Sequence, residues 1–163
     1  MTSPKSVCVG GYLSSGHNLD DISYLYNDIN VCQFYYILIL TPFRSGTTWV
    51  QEILWQIFNE GQVTSDHILE RVPFLEMATG TVFPKPNYNT LPSPRIIKTH
   101  LPYSTIPKSA TEDGKCKYIY VARNPKDVAV SFFDFTANLK IMENGYNGPW
   151  EFYAKSFVEG NGK

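Results

Sequence analysis

The sequence predicts an α/β fold, a central parallel sheet flanked by helices, and three observations carry that reading. Phe34 to Leu40 is an unbroken aromatic and aliphatic run, Lys117 to Ala122 is rich in aromatic and β-branched residues, and helical patterns alternate with these strands. Strands that show no polar alternation are buried on both faces, as strands of parallel sheets are. The composition agrees: 163 residues, 43% hydrophobic and 18% charged, describe an ordinary globular chain and exclude disordered, collagen-like and coiled-coil readings.

Residues 1 to 30 are polar, with glycines at 10, 11 and 16, and read as a poorly defined lead-in to a domain spanning 31 to 163. Val31 to Leu40 is the first expected strand, ended by Thr41-Pro42. After Ser45-Gly46-Thr47-Thr48, apolar residues at Val50, Ile53, Leu54, Ile57 and Phe58 follow the spacing of an amphipathic helix that stops near Gly61. Residues 62 to 94 carry five prolines and form a long excursion, with a short helical possibility from Arg71 to Met77. Arg95 to His100 is a second strand and Lys117 to Ala122 a third. Asn124 as N-cap, Pro125 at the first helical position and Asp127 in the first turn start a helix running to about Lys140, with Val128, Ala129, Phe132 and Phe135 on its buried side. A shorter helix is expected from Trp150 to Phe157.

Composition also narrows the partners. Fourteen Lys and Arg against fifteen Asp and Glu give a net charge of −1, so no basic surplus favours nucleic acid and any anion site must be local. Cys8, Cys32 and Cys116 fit neither a disulfide framework nor a metal spacing and read as reduced structural thiols. The longest apolar run falls far short of the ~20 residues that span a bilayer. With no secretory pattern at the N-terminus, a cytoplasmic protein without membrane contact is expected.

In open parallel sheets ligands bind beyond the carboxyl ends of the strands. Three polar clusters stand there: Arg44 to Thr48, Lys98 to His100, and Arg123 with the helix behind it. The first, strand then Arg44-Ser45-Gly46-Thr47-Thr48-Trp49 then helix, aims backbone N–H groups and a helix N-terminus at an anion. Taken alone, the segment is as well explained by a capped helix after a buried strand. The GxxxxGK[ST] loop of nucleotide triphosphatases does not fit, because no Lys follows the glycine and the third strand ends in Arg123 rather than an acidic metal ligand.

Arg44 to Trp49, Ile97-Lys98-Thr99-His100-Leu101-Pro102, and Tyr118 to Ser131 with its core Val121-Ala122-Arg123-Asn124-Pro125-Lys126-Asp127 together resemble the cytosolic sulfotransferases, in the order and approximate spacing of that family. The resemblance runs from about Ser45 to Gly160, and residues 1 to 40 match poorly. It implies a three-layer, P-loop-like fold and transfer of a sulfuryl group from 3′-phosphoadenosine 5′-phosphosulfate to a hydroxyl or amine of a small acceptor such as a phenol, alcohol or steroid. It further implies that Arg44, Ser45, Gly46, Thr47, Thr48 and Trp49 hold the 5′-phosphosulfate and adenine, and that Arg123 and Ser131 hold the 3′-phosphate. By the resemblance His100 becomes the general base, although a lone His before Leu-Pro without it reads more often as a polar strand terminus, and Lys98 the group that stabilises charge on the sulfonate oxygens, their side chains sharing one side of the strand. Phe74, in Arg71-Val72-Pro73-Phe74-Leu75-Glu76, becomes a gate to the acceptor pocket; a hydrophobic contact under a long loop explains it nearly as well. Such a transfer requires no metal.

Two departures from the family stand out. Arg44 occupies the usual lysine position, keeping the charge but presenting a planar, bulkier donor. Family members also continue beyond the position of Lys163, with the rest of the acceptor pocket and a dimerisation segment. The expectation is therefore the N-terminal part of a larger domain, a fragment or incomplete gene model in which residues 12 to 40 are open to misassignment. A catalytically inactive nucleotide-binding fragment and a P-loop-type small-molecule kinase remain as alternatives.

Overall fold

The computed structural model describes residues 35–77, 88–106, 116–138 and 146–160. The described residues divide into two compact units, one ending at Ala122 and one beginning at Arg123.

The first unit is built on a three-stranded parallel sheet in the order β2-β1-β3, with β1 at Tyr36–Leu40, β2 at Arg95–Thr99 and β3 at Cys116–Tyr120. β1 is central because it is the most apolar strand, and all five of its residues are buried. Its alternate side chains feed two cores. Tyr36, Leu38 and Leu40 join Leu75, Tyr88 and Ile97 on one face. Ile37 and Ile39 join Val72 and Ile96 on the other, where Val50, Leu54 and Trp55 pack. Leu38 pairs with Ile97 and Tyr118, and Leu40 with Thr99 and Tyr120, so the three strands end at the same level. Of the first expected strand, residues 31 to 34 lie outside the described residues, and Tyr35 precedes the strand and is exposed.

Helix α1, Thr47–Phe58, follows β1 as its spacing requires. The expected apolar face is corrected in part: Ile53 is 54% and Ile57 64% exposed, Phe58 is exposed as well, and fully buried Gln51 takes a core position. Gln51 Nε2 donates to the Val72 carbonyl at 3.2 Å, which makes a buried amide tolerable. A short helix α2, Ile68–Arg71, is capped by His67, whose ring accepts the Leu69 N–H. Arg71 clamps both carboxylate oxygens of Glu52 at 3.3 and 2.9 Å and lies over the Trp55 ring. Those ties, with the Lys98 N–H donated to the Pro73 carbonyl, place Phe74 beside β2. One-turn 3-10 segments follow at Leu75–Met77 and Tyr88–Thr90. Cys116 is a buried free thiol, its pKa raised by burial; Cys8 and Cys32 lie outside the described residues.

The second unit holds α3, Pro125–Ala137, and α4, Trp150–Glu159. α3 starts as expected: the Asn124 side chain accepts the Lys126 N–H at 3.0 Å, with Pro125 and Asp127 in the first turn. It ends at Ala137, short of Lys140. Val128, Ala129 and Phe132 are buried, whereas Phe135 is 36% exposed, a correction to its expected buried place. α3 and α4 meet through aromatic edges, Phe133 against Trp150 at 5.3 Å and Tyr153 at 5.2 Å, and Gly160 closes α4 in the left-handed region. Among the described residues no helix is long and apolar enough to cross a membrane.

Candidate active site

The carboxyl ends of β1 and β2 carry polar and charged side chains, and one residue not singled out in the sequence, Thr41, joins them. Its main chain continues the sheet by donating to the Thr99 carbonyl at 3.2 Å. Its carbonyl lies 2.6 Å from His100 Nδ1, and its hydroxyl lies 3.2 Å from that nitrogen and 2.6 Å from Thr47 Oγ1. A carbonyl can only accept, so Nδ1 carries the proton and Nε2 of the neutral ring keeps its lone pair. Burial holds the His100 pKa down to about 4, with the nearby Lys98 charge acting the same way and the Thr41 carbonyl opposing. The ring is therefore a neutral base over the physiological range.

Aromatic side chains hold it in place. Phe43 lies against the imidazole with ring centroids 4.1 Å apart, and Phe74 meets it edge to face at 5.0 Å. Lys98 Nζ stands 4.2 Å from the centroid of the same Phe74 ring, so Lys98 and His100 converge on one side chain. Burial lowers the Lys98 pKa, with Glu76 opposing. Glu76, also absent from the sequence-based site, accepts the His100 main-chain N–H at 2.5 Å. Burial pushes its carboxyl up to about 7, against hydrogen bonding from the His100 and Glu76 main chain and the Thr99 side chain and against the Lys98 charge. Sequence reading missed Thr41 because Thr-Pro reads as a strand terminator, and missed Glu76 because one Glu in a loop carries no periodic signal.

The Arg44–Trp49 loop shows a second kind of preparation. Gly46 sits at φ 99° as the N-cap of α1, with nothing within 4 Å of where a Cβ would project. α1 has no side-chain cap and no acidic residue in its first turn, so its leading N–H groups keep their donor capacity. Ser45 Oγ is buried without a hydrogen-bond partner. Thr48 and Trp49 are exposed, whereas Thr47 is buried and its hydroxyl turns onto Thr41. Arg44 is exposed and adopts a positive φ of 61°. A tight left-handed turn, an open glycine, an orphaned hydroxyl and an uncapped helix end are the elements of an anion cradle, and the donor set fits a phosphosulfate.

The first unit thus brings together Arg44 to Thr48, Phe74, Lys98 and His100. Arg123 and Ser131 belong to the second unit: Arg123 is exposed, one residue before the N-cap of α3, and Ser131 is half-buried within that helix. Among the described residues, no three His, Cys, Asp or Glu side chains gather as a metal site.

The sulfotransferase domain family matches residues 36–163, a span that takes in β1 and both units. The chain belongs to the sulfotransferase family. Sulfotransferase 1B1 of the dog, Canis lupus familiaris, is 45% identical over 138 residues, covering 77% of this chain and 43% of that protein. An Arabidopsis thaliana protein assigned as a steroid sulphotransferase superposes with a TM-score of 0.62 at 27% identity, over 85% of this chain and 48% of its own. Retinol dehydratase in a complex with retinol and PAP superposes with a TM-score of 0.64 at 23% identity, over 88% and 50%. This sulfotransferase chain spans less than half the length of its curated relative, and its fold is the α/β architecture of these structures.

Proposed function

We propose that this chain carries the nucleotide cradle and catalytic base of a sulfotransferase that moves a sulfuryl group from 3′-phosphoadenosine 5′-phosphosulfate to a small hydroxylated acceptor. One observation supports this reading above the others: the Thr41 carbonyl fixes the His100 tautomer, and the same residue's hydroxyl touches Thr47 at the mouth of the anion cradle. The donor supplies the sulfuryl group. His100 Nε2 takes the acceptor hydroxyl's proton as that oxygen bonds to sulfur and the sulfur–oxygen bond to the nucleotide's 5′-phosphate breaks. Positioned general-base catalysis of this kind is worth ~10²–10⁴-fold. The N–H groups at the start of α1, Ser45, Thr48 and Arg44 hold the 5′-phosphate oxygens on which negative charge collects, and Lys98 faces the sulfonate oxygens. Trp49 offers an exposed ring to the adenine, Phe74 borders the acceptor, and Arg123 with Ser131 bind the 3′-phosphate.

Incubating the protein with the phosphosulfate donor and a phenol, and measuring sulfated product, tests the reading. Product that disappears in His100→Ala supports it. A thermal shift with the desulfonated nucleotide but no product leaves a binding function alone, and an ATP-dependent product overturns both.

A further inference from the structure

Glu76 has no place in the transfer just described, yet it is the most unusual buried group beside it. Its Oε2 is buried with no hydrogen-bond partner, and its Oε1 accepts the main-chain N–H of His100, with the Glu76 main chain and the Thr99 side chain also favouring the charged carboxyl. A carboxylate with one oxygen left unpartnered is an expensive acceptor to bury, and a water-exposed strand end would satisfy the His100 N–H at no such cost. What the bond does accomplish is geometric. β2 ends at Thr99, so the His100 backbone lies beyond the last ladder pairing and is set by what its own N–H meets. Leu101 N–H turns back onto Thr99 Oγ1 at 3.0 Å, leaving Glu76 as the tether on His100 itself.

We infer that Glu76 is a positioning residue for His100: its Oε1 anchors the His100 main chain so that ring Nδ1 meets the Thr41 carbonyl and Nε2 faces the acceptor. The tether comes from the segment that Phe74 bridges to Lys98 of β2. Phe74, two residues before Glu76, closes on the imidazole edge, so one loop segment grips both the backbone and the ring of His100. The role requires an oxygen at the Oε1 position and does not require a negative charge. This inference rests on His100 being the base of the proposed transfer.

Three variants separate position from charge. Glu76→Gln keeps an acceptor oxygen in place and removes the charge. Glu76→Asp keeps the charge but withdraws the oxygens by one methylene, and Glu76→Ala removes the acceptor. Side-chain ¹⁵N spectra of the imidazoles, with His100 identified by His100→Gln, read the tautomer directly and need no turnover. The expected result is a single Nδ1–H tautomer in the parent chain and in Gln, and mixed tautomers in Asp and Ala. In sulfation assays kcat falls ~10–100-fold in Asp and Ala with acceptor KM within about twofold, as for a misaligned base. Should Ala fail to fold, the contrast between Asp and Gln carries the test. A parent-like tautomer in Asp, or a Gln variant that behaves like Asp, overturns the inference. If the parent chain forms no sulfated product, the proposed function fails while the ring-nitrogen spectra still decide the role of Glu76.

Discussion

Replacing Glu76 by Gln should change how stability depends on pH, by an amount that follows from the two buried groups at the end of β2. The ordinary Glu value is 4.5, and in the fold Glu76 stands at about 7. Between those values the folded chain holds a proton that the unfolded chain has lost, so this group's contribution to stability declines as pH rises through the window. His100 behaves oppositely: 6.5 in the unfolded chain and about 4 in the fold. There the unfolded chain holds the extra proton, and stability grows as pH rises from about 4 to 6.5. Between about pH 4.5 and 6.5 the two proton inventories cancel, because the folded site keeps a protonated Glu76 beside a neutral His100. The third titratable group that acts on the pair, Lys98, does so through its charge and is common to parent and variant, so the difference between the two proteins isolates Glu76. At 1.36 kcal/mol per pH unit, Glu76→Gln should gain ~2 kcal/mol on the parent between about pH 5 and pH 6.5, with the variant more stable toward the alkaline side. Urea unfolding of both proteins at the two pH values measures this, given equal m-values. Stability curves that run parallel across this range would refute the argument that the buried carboxyl is protonated there.

Gly46→Ala meets open space but must hold a left-handed turn, so a loss of only ~1–2 kcal/mol in urea unfolding should accompany a much larger loss of affinity for the desulfonated nucleotide; unchanged binding would remove Gly46 from the cradle. Arg44→Lys should maintain or raise turnover, because an ammonium still supplies charge at the mouth of the loop, and a large fall in kcat would show that the guanidinium is specifically required. Leu38→Ala opens a cavity in the central strand, where Leu38 is 1% exposed, and should cost ~2–5 kcal/mol; a loss below 1 kcal/mol in the same unfolding assay would mean that the site collapses around the deletion.

The parallel sheet was legible from residue types because a strand buried on both faces leaves a mark that no loop imitates: Tyr36 to Leu40 is apolar at every position and feeds two cores. The start of α3 was equally legible, since Asn124, Pro125 and Asp127 act locally, through bonds and charges within one turn. Motifs named Arg44 to Trp49, Lys98 and His100 for the same reason, each being short and contiguous at a strand end. Which face of α1 is buried was not legible, because Ile53 and Gln51 differ in polarity in a direction opposite to their burial. Only the partner of each decided it: Gln51 found the Val72 carbonyl, and the sheet face beneath α1 was filled by Val50, Leu54 and Trp55. Thr41 and Glu76 were invisible in the same way. Their roles lie 59 and 24 residues along the chain, at His100, and a hydrogen bond between distant positions has no periodicity to read. Residue chemistry by itself determined the sheet and the helix starts and set polar side chains at the strand ends, and only the family resemblance proposed His100 among them as a base; tertiary packing alone decided the tautomer of that histidine, its depressed pKa and the carboxyl that meets its main chain, because burial and long-range contact set all three.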